Sequence, residues 1–333
     1  MCSARWDEIK VPVYTVGNWG GWGLHLRGNT EAYLCAASKQ KKLRIHTGDH
    51  FRPFHSNEGK VDQLRFFDYW LKGMQNGIMD EPPIKLEIRT GGSKKPYAFR
   101  FENEWPLART QWTKMYFSIE KERSPDEAHT EGRLVTEQVP TARQISYSGS
   151  NPNKAGIGSG SSAAGIGRSG VSFVTDPMAR DTEITGPLMA NLWVSSTAED
   201  MDVMVTLRNI DPEGNEVFEL GQQGQPVVPT KGWLRASHRK LDPQKSLPYR
   251  PYHAHNERLW LEPNVPVECQ IEIISTCIVL KKGHQLRVDI HAQDSAGSGN
   301  FTHFHADYNE EAIHTFYAGG AMNSYILLPI IPT

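Results

Sequence analysis

The sequence predicts an α/β segment that forms part of a parallel sheet, followed by an all-β domain built as a sandwich. In the first 78 residues, β-type runs alternate with runs of helical periodicity, which is the pattern of a parallel α/β sheet. From residue 79 onward, short apolar β-type runs follow one another with turn residues between them. The 29 glycines and 21 prolines among 333 residues supply the turns that such a fold requires.

The α/β segment contains two strands and two helices in alternation. Residues 10–18 are apolar and β-branched and end at a turn, and residues 43–48 form a second short strand. Residues 28–40 are rich in helix formers, and residues 58–73 form a second helix that Gly73 ends. These elements are too few to close a parallel sheet as an independent domain. The second helix places these apolar residues at helical spacing: Val61, Leu64, Phe67, Trp70 and Leu71.

The remaining sequence has the texture of an antiparallel β-sandwich, and we predict a jelly roll. We place the domains at residues 1–78 and 79–333, and we expect the Gly/Ser-rich stretch 148–170 to be a flexible loop. The β-type runs are residues 83–90, 114–120, 171–177, 187–196, 202–210, 266–274, 285–291 and 324–331.

Composition argues against several classes of partner and compartment. The formal charge of −2 gives no electrostatic reason for a nucleic-acid partner, and we expect none. No apolar run approaches the roughly 18 residues of a membrane helix, so we expect no membrane partner. Four cysteines without a CxxC pair form no disulfide framework, and the first ten residues lack the apolar region of a secretory signal. We therefore expect reduced thiols and a cytoplasmic protein.

Long segments of the chain, taken in order, resemble the CocE/NonD serine hydrolases, a group that includes cocaine-esterase-like, glutaryl-acylase-like and X-Pro dipeptidyl-peptidase-like enzymes. The stretches VPVYTVGNWGGWGLHLRGNTEAY, LRIHTGDH and QLRFFDYWLKGMQNGIMDEPPIKLEIR resemble the end of the α/β-hydrolase catalytic domain. Residues 171–215, KGWLRASHRKLDP, SLPYRPYH and SYILLPIIP resemble the C-terminal jelly-roll domain of that family. The resemblance implies cleavage of ester or amide bonds through an acyl-enzyme, with the jelly roll lining the pocket.

The resemblance identifies one catalytic residue and leaves two unidentified. His50 matches the family's catalytic histidine, which takes the serine proton and passes it to the leaving group. The nucleophilic serine of a GxSxG-like elbow has no counterpart in the 333 residues, so we expect a truncated form without hydrolase activity of its own. Gly21 stands where many relatives carry the acid, and Asp49, adjacent to His50, is poorly placed for that role. An ordinary loop histidine is the alternative for His50, since His46 and His55 are nearby.

Trp19 and Trp22 flank the turn at which a substrate pocket is expected from the resemblance. The tryptophans are not interleaved with basic residues in a stacking pattern. Packing in the core is therefore the first interpretation of these side chains. Pocket lining is the second interpretation of these two side chains.

Two further motifs are weaker. The GxGxxG match at residues 165–170 follows a Gly/Ser stretch and precedes a strand, so it lacks the context of a dinucleotide site. His303, His305 and Glu310 follow Gly297 with the spacing of the first half of a cupin metal motif, but the second half is absent. We interpret these residues, and the His253-x-His255 pair, as surface or packing residues and expect no cofactor; a metal site is the alternative.

Three functions stay open on the sequence alone. The first is a truncated serine hydrolase acting on a small-molecule ester or amide once its missing half is present. The second is a non-catalytic binding module, or a repurposed protein of small-molecule biosynthesis, whose partial sheet is covered by a partner or by a second copy. The third is a cupin-like metal protein.

Overall fold

The described part of the chain divides into two compact units. The first unit comprises residues 1–109 together with residues 219–227, and the second comprises residues 110–218 and 228–333. The first unit therefore includes a short segment that is flanked in the sequence on both sides by residues of the second unit. The computed structural model describes residues 4–92, 98–122, 131–150, 170–293 and 306–332.

The first unit is built on a sheet whose described strands have the order β1-β2-β3-β4. Strands β1, β2 and β3 run parallel, and β4 pairs with β3 in the antiparallel sense. The alternation of strands and helices predicted from the sequence is present. The elements are β1 (Val13–Asn18), α1 (Leu26–Cys35), β2 (Lys41–His46), α2 (Arg52–His55), α3 (Asn57–Lys72), β3 (Ile84–Glu87) and β4 (Phe99–Glu102), with 3₁₀ turns at Trp6–Glu8 and Trp19–Gly21.

Helix α3 has sequence-encoded ends. The Ser56 side chain accepts a hydrogen bond from the Gly59 backbone N–H at 3.0 Å, which caps the helix N-terminus. A Cβ at Gly59 would lie 1.9 Å from the Pro53 carbonyl oxygen, so only glycine allows α2 and α3 to approach this closely. Gly73 has a φ of 69° and ends the helix in the left-handed conformation, as its position in the sequence predicted.

Most of the side chains at the apolar spacing of α3 are exposed, and Trp70 is half-buried. Leu71 is 77% exposed, and the side chains of Val61, Leu64 and Phe67 are each more than half exposed. Phe66 is the buried member, and its ring lies 5.4 Å from that of Tyr14 on β1. The described residues thus leave open a surface made of Val61, Leu64, Phe67 and Leu71, called here the α3 apolar face.

The described residues of the second unit are all β apart from short helical turns and connecting loops. Its twelve described strands form one sheet of order β15-β14-β10-β16-β8-β6-β5-β18-β9-β17-β7, with β11 on β10. Pairing of β15 with β9 closes most of this sheet into a ring, which gives a barrel-like sandwich. The elements are β5 (Gln111–Ser118), β6 (Glu131–Val135), β7 (Arg143–Ser148), β8 (Gly170–Val174), β9 (Thr182–Ser196), β10 (Asp202–Ile210), β11 (Glu216–Val217), the first unit's hairpin β12 (Glu219–Leu220) and β13 (Pro226–Val227), β14 (Thr230–Arg235), β15 (Val267–Leu280), β16 (Gln285–His291), α4 (Ala306–Asn309), β17 (Ile313–Ala318) and β18 (Tyr325–Ile331), with a 3₁₀ turn at Ala236–His238.

The ring encloses an apolar core. Three buried phenylalanines meet at its centre, with centroids 4.8 Å apart for Phe117–Phe173 and 5.3 Å apart for the Phe117–Phe316 and Phe173–Phe316 pairs. Tilted and edge-on contacts of this kind add to the stabilisation that area burial provides. The all-β character predicted for this part of the chain is confirmed, and its jelly-roll connectivity stays a prediction.

Charged residues are also buried in the second unit. The Asp289 carboxylate on β16 accepts hydrogen bonds from the Arg208 Nε at 2.5 Å, the Arg287 Nε at 2.7 Å and the Ser172 hydroxyl at 2.5 Å. The two guanidinium groups hold the pKa of Asp289 below its usual value despite its burial. Such a charge is tolerated in the interior because it is paired and hydrogen-bonded.

Candidate functional site

The carboxyl ends of the parallel strands β1 and β2 carry the candidate site of the first unit. Asn18, the last residue of β1, donates a hydrogen bond from Nδ2 to the Gly48 carbonyl oxygen at 2.7 Å. Its Oδ1 accepts one from the Gly20 backbone N–H at 2.8 Å. This buried amide therefore ties the turn after β1 to the turn after β2, at the edge of a parallel sheet where ligands usually bind.

His50 lies in the turn after β2, and its backbone and ring are both held. Its backbone N–H donates to the Gln222 carbonyl oxygen at 2.9 Å, which joins the histidine loop to the segment between β12 and β13. Its ring stacks on that of His25, with centroids 4.8 Å apart and planes 15° apart. A Cβ at Gly20 would lie 2.7 Å from the Gly221 Cα, so glycine is required where the hairpin crosses the first turn.

The surroundings of His50 favour its neutral form. Burial lowers the pKa of His50 first, and the neighbouring His25 lowers it further, against an opposing effect of Asp49. The Nδ1 atom is buried and has no hydrogen-bond partner among the described residues. The Asp49 carboxylate instead accepts from the Phe51 backbone N–H at 2.7 Å, so this carboxylate caps the loop.

Gly21, the position at which the resemblance places the acid in many relatives, faces the side chain of Gln222. A Cβ at Gly21 would lie 3.1 Å from the Gln222 Oε1 and 3.6 Å from the Asn18 Cβ. The Gln222 Oε1 is buried and has no hydrogen-bond partner among the described residues. An amide from the hairpin therefore occupies the space that a larger residue 21 would need.

Glu87, the last residue of β3, stabilises the loop that contains His50. Its buried carboxylate accepts from the Thr47 backbone N–H at 2.6 Å and forms an ion pair with Arg52. Its carbonyl oxygen accepts from the Trp19 indole N–H at 2.8 Å. Neither Glu87 nor Asn18 was predicted from the sequence. Glu87 lies within an apolar β-type run, and this could have indicated a role for it. Burying a carboxylate costs free energy unless the carboxylate is paired.

Trp19 and Trp22 are buried in the first unit, at 0% and 4% exposure. The Trp19 ring lies 6.2 Å from that of Trp105 and beneath the Arg89 guanidinium, 5.7 Å from its carbon. A cavity of about 450 Å³ lies elsewhere in this unit, against Tyr14, Phe66 and Asp62, and neither tryptophan lines it. Pocket lining by the two tryptophans stays a prediction.

The weaker motifs fall mostly outside the described residues. His303 and His305 lie there, as do residues 151–169, which include most of the predicted loop and of the GxGxxG match. Glu310 follows α4. In the described ranges, no group of three or more His, Cys, Asp or Glu side chains is arranged to hold a metal ion. Among the helices described, none is long and apolar enough to cross a bilayer.

Comparisons with known proteins agree on one family. The family model of the X-Pro dipeptidyl-peptidase C-terminal non-catalytic domain matches residues 76–327. A Mycobacterium bovis protein named as a serine esterase is 22% identical over 326 residues, covering 87% of this chain and 47% of that protein. A Bacillus cereus protein named as an Xaa-Pro dipeptidyl-peptidase is 28% identical over 82 residues, covering 24% of this chain and 14% of that protein. The chain thus spans about half, or less, of the length of the curated relatives it matches.

A solved structure gives the same result. The crystal structure of a CocE/NonD family hydrolase from Staphylococcus aureus superposes with a TM-score of 0.82 at 27% identity, covering 97% of this chain and 54% of the other. The match therefore includes both units. This chain belongs to the family of X-Pro dipeptidyl-peptidase C-terminal non-catalytic domains and is a relative of the CocE/NonD hydrolases.

Proposed function

We propose that this chain is the C-terminal part of a serine hydrolase of ester or amide bonds, in which His50 is the general base. The observation that carries the proposal is the position of His50, which follows the second of three parallel strands with its backbone fixed by Gln222 and its ring against His25. A neutral imidazole held at the carboxyl edge of a parallel sheet is suited to take a proton from a nucleophile.

The nucleophile in this proposal comes from polypeptide outside the 333 residues. These 333 residues contain no GxSxG, and their α/β part has three parallel strands in the described ranges. In the complete site, His50 takes the serine proton as the hydroxyl attacks the carbonyl carbon, and it returns that proton to the leaving alcohol or amine. Water then attacks the acyl-enzyme with His50 as base, which releases the acid and restores the serine.

The surface of the first unit supports a missing half. In the described residues, β1 pairs with β2 alone, so its other edge carries unused backbone donors and acceptors. The α3 apolar face is exposed on the same unit. We propose that the catalytic half of the hydrolase adds strands at β1 and covers this face, and that a second copy of the chain covers it when that half is absent.

The test starts from the polypeptide made in the source organism. Intact mass spectrometry is expected to give a species larger than the calculated 37.5 kDa by roughly one further domain of about 250 residues. A fluorophosphonate probe is expected to label this species and to leave the 333-residue chain unlabelled. A native species at 37.5 kDa that is not labelled would overturn the hydrolase proposal and favour the binding module.

His50 is then tested in the longer protein. His50→Ala should lower the hydrolysis of an activated ester by roughly 10²–10⁴-fold, because the base is lost and the fold is kept. His55→Ala is the matched control, since His55 lies in the same loop region at the end of α2 and is expected to leave the rate unchanged. Equal effects of the two variants would refute the role of His50.

A second candidate function rests on a specific observation. The matched family model is described as non-catalytic and covers residues 76–327, which is most of the chain. A chain of this family without a nucleophile can serve as a binding module. Stable recovery of the 333-residue chain with a partner on the α3 apolar face, in the absence of any larger species, would favour this function.

A further inference from the structure

Three histidines of the second unit lie together on its surface, and two of them form the His253-x-His255 pair of the sequence. His238 ends the 3₁₀ turn Ala236–His238, and His253 and His255 lie in the segment that precedes β15. The Nδ1 atoms of His238 and His255 are 2.9 Å apart, and their ring centroids are 5.1 Å apart. The ring of His253 lies 5.9 Å from that of His255.

The backbone holds the two segments in fixed register. The Ala254 N–H donates to the Lys240 carbonyl oxygen at 2.9 Å, and the Asp242 N–H donates to the Tyr252 carbonyl oxygen at 2.7 Å. These bonds flank an antiparallel bridge between the strands of this small ladder. Main-chain hydrogen bonds therefore fix the relative positions of the two segments that carry His238 and His255.

The third imidazole anchors the ladder to the sheet. The Nε2 of His253 donates a hydrogen bond to the Gln270 carbonyl oxygen on β15 at 2.9 Å. This bond fixes the ring of His253 and ties the residue two positions before His255 to a central strand. His253 therefore positions the segment that carries His255 and is not one of the two rings in hydrogen-bond contact.

His255 has an unusual backbone. Its φ is 50°, in the left-handed region that residues other than glycine rarely adopt. Backbone in such regions is unfavourable for a residue with a side chain and is found where a particular side-chain direction is required. Here the strained residue is the one whose ring meets His238.

The separation of the two nitrogens, which a hydrogen bond between the rings sets here, is also compatible with one class of metal. With metal–nitrogen bonds of about 2.0–2.1 Å, two ligands 2.9 Å apart subtend about 90° at the ion. A tetrahedral ion would separate them by about 3.3 Å, so the pair is closer than zinc prefers. An angle of about 90° is that of neighbouring ligands in tetragonal Cu²⁺ and Ni²⁺ sites, which imidazole nitrogen suits.

We propose that His238 and His255 chelate a late first-row divalent cation through their two Nδ1 atoms, with Cu²⁺ bound more tightly than Ni²⁺ and Ni²⁺ more tightly than Zn²⁺. Without metal, one ring donates its Nδ1 proton to the other. On binding, the donor ring carries its proton on Nε2 instead, both Nδ1 lone pairs face the ion, and water occupies the other coordination positions. The exposed position of His255 gives the ion access from solvent.

The experiment titrates the 333-residue chain, stripped with a chelator, with Cu²⁺ or Ni²⁺ by calorimetry against a weak competing ligand. We expect one tight equivalent per chain, and electron paramagnetic resonance of the Cu²⁺ complex should show equatorial nitrogen coupling. His238→Gln and His255→Gln should each weaken this equivalent at least tenfold. The matched control is His284→Gln, because the His284 Nδ1 is hydrogen-bonded to the Asn209 Oδ1 at 2.8 Å in the same unit, outside the cluster.

Two further readouts distinguish a loss of metal binding from a loss of stability in the variants. Circular dichroism verifies the fold of each variant, and saturating Ni²⁺ should raise the melting temperature of the wild type and the control but not of the two cluster variants. Absence of a tight equivalent in the wild type would show that the two rings share only a proton. An equivalent that survives in both cluster variants would place the metal at other histidines, and either result overturns the proposal.

Discussion

The stability of the second unit should depend on pH through His314, a buried residue of β17. Its Nε2 donates to the Asn309 Oδ1 at 3.0 Å, and its Nδ1 accepts from the Ser196 hydroxyl at 3.0 Å. The Asn309 amide is oriented by its Nδ2, which donates to the Asp202 Oδ2 at 3.0 Å. The imidazole is therefore neutral in the folded state, and a second proton on Nδ1 would break the bond from Ser196.

The magnitude follows from the pKa. Burial lowers the pKa of His314 from 6.5 to about 4, with Asp202 opposing the shift. The unfolded chain binds a proton near pH 6.5, whereas the folded chain resists it until about pH 4, so stability falls as the pH falls through this window. The loss from this one group is about 2 kcal/mol at pH 5 and about 3 kcal/mol below pH 4.

Hydrogen exchange of peptides that cover β17, corrected for the intrinsic pH dependence of exchange, measures this loss. The wild type should lose about 2 kcal/mol more protection between pH 8 and pH 5 than His314→Gln, in which the titrating group is absent. The variant is expected to be less stable at pH 8, but its slope with pH should be shallower. Equal losses in the two proteins would refute the assignment of this pH dependence to His314.

Three further predictions concern stability. Asp289→Asn should lower the free energy of unfolding by about 3–5 kcal/mol, because it removes the buried carboxylate that Arg208 and Arg287 share, although Glu216 still pairs with Arg208; a loss below about 1 kcal/mol in urea denaturation would contradict this. Gly232→Ala should cost about 1–3 kcal/mol, since its Cβ would lie 2.3 Å from the Glu272 carbonyl oxygen on β15, and an unchanged urea midpoint would argue against that contact. Gly28→Ala, with open space around its Cβ in α1, should instead stabilise the first unit by about 0.5–1 kcal/mol, and increased exchange in α1 peptides would contradict this.

Local signals predicted the elements well. The alternation of strands and helices before residue 78 and the end of α3 at Gly73 depend on short-range patterns, and the structure contains them. The apolar spacing of α3 also predicted a helix, but spacing carries no information on what covers a face. Val61 and Leu64 are exposed because the described residues provide no partner for them.

The site was less accessible to sequence reasoning. His50 was predicted through its place in a resemblance, its position after β2 follows from the strand order, and its catalytic role stays a prediction. Its contact with Gln222 could not be predicted, because the two residues are far apart in the chain and a backbone hydrogen bond leaves no residue-type signature. Asn18 was equally invisible, since an asparagine at the end of a strand is typical of any turn.

The discontinuous first unit has a consequence for the order in which the protein is made. Residues 1–109 leave the ribosome before residues 110–218, but the segment 219–227 that completes the unit follows only after half of the second unit has been synthesised. Until then, the His50 loop lacks the carbonyl of Gln222, and Gly20 lacks the hairpin that crosses it. The candidate site is therefore among the last parts of the first unit to become ordered during translation, and a fragment that stops before residue 219 cannot form it.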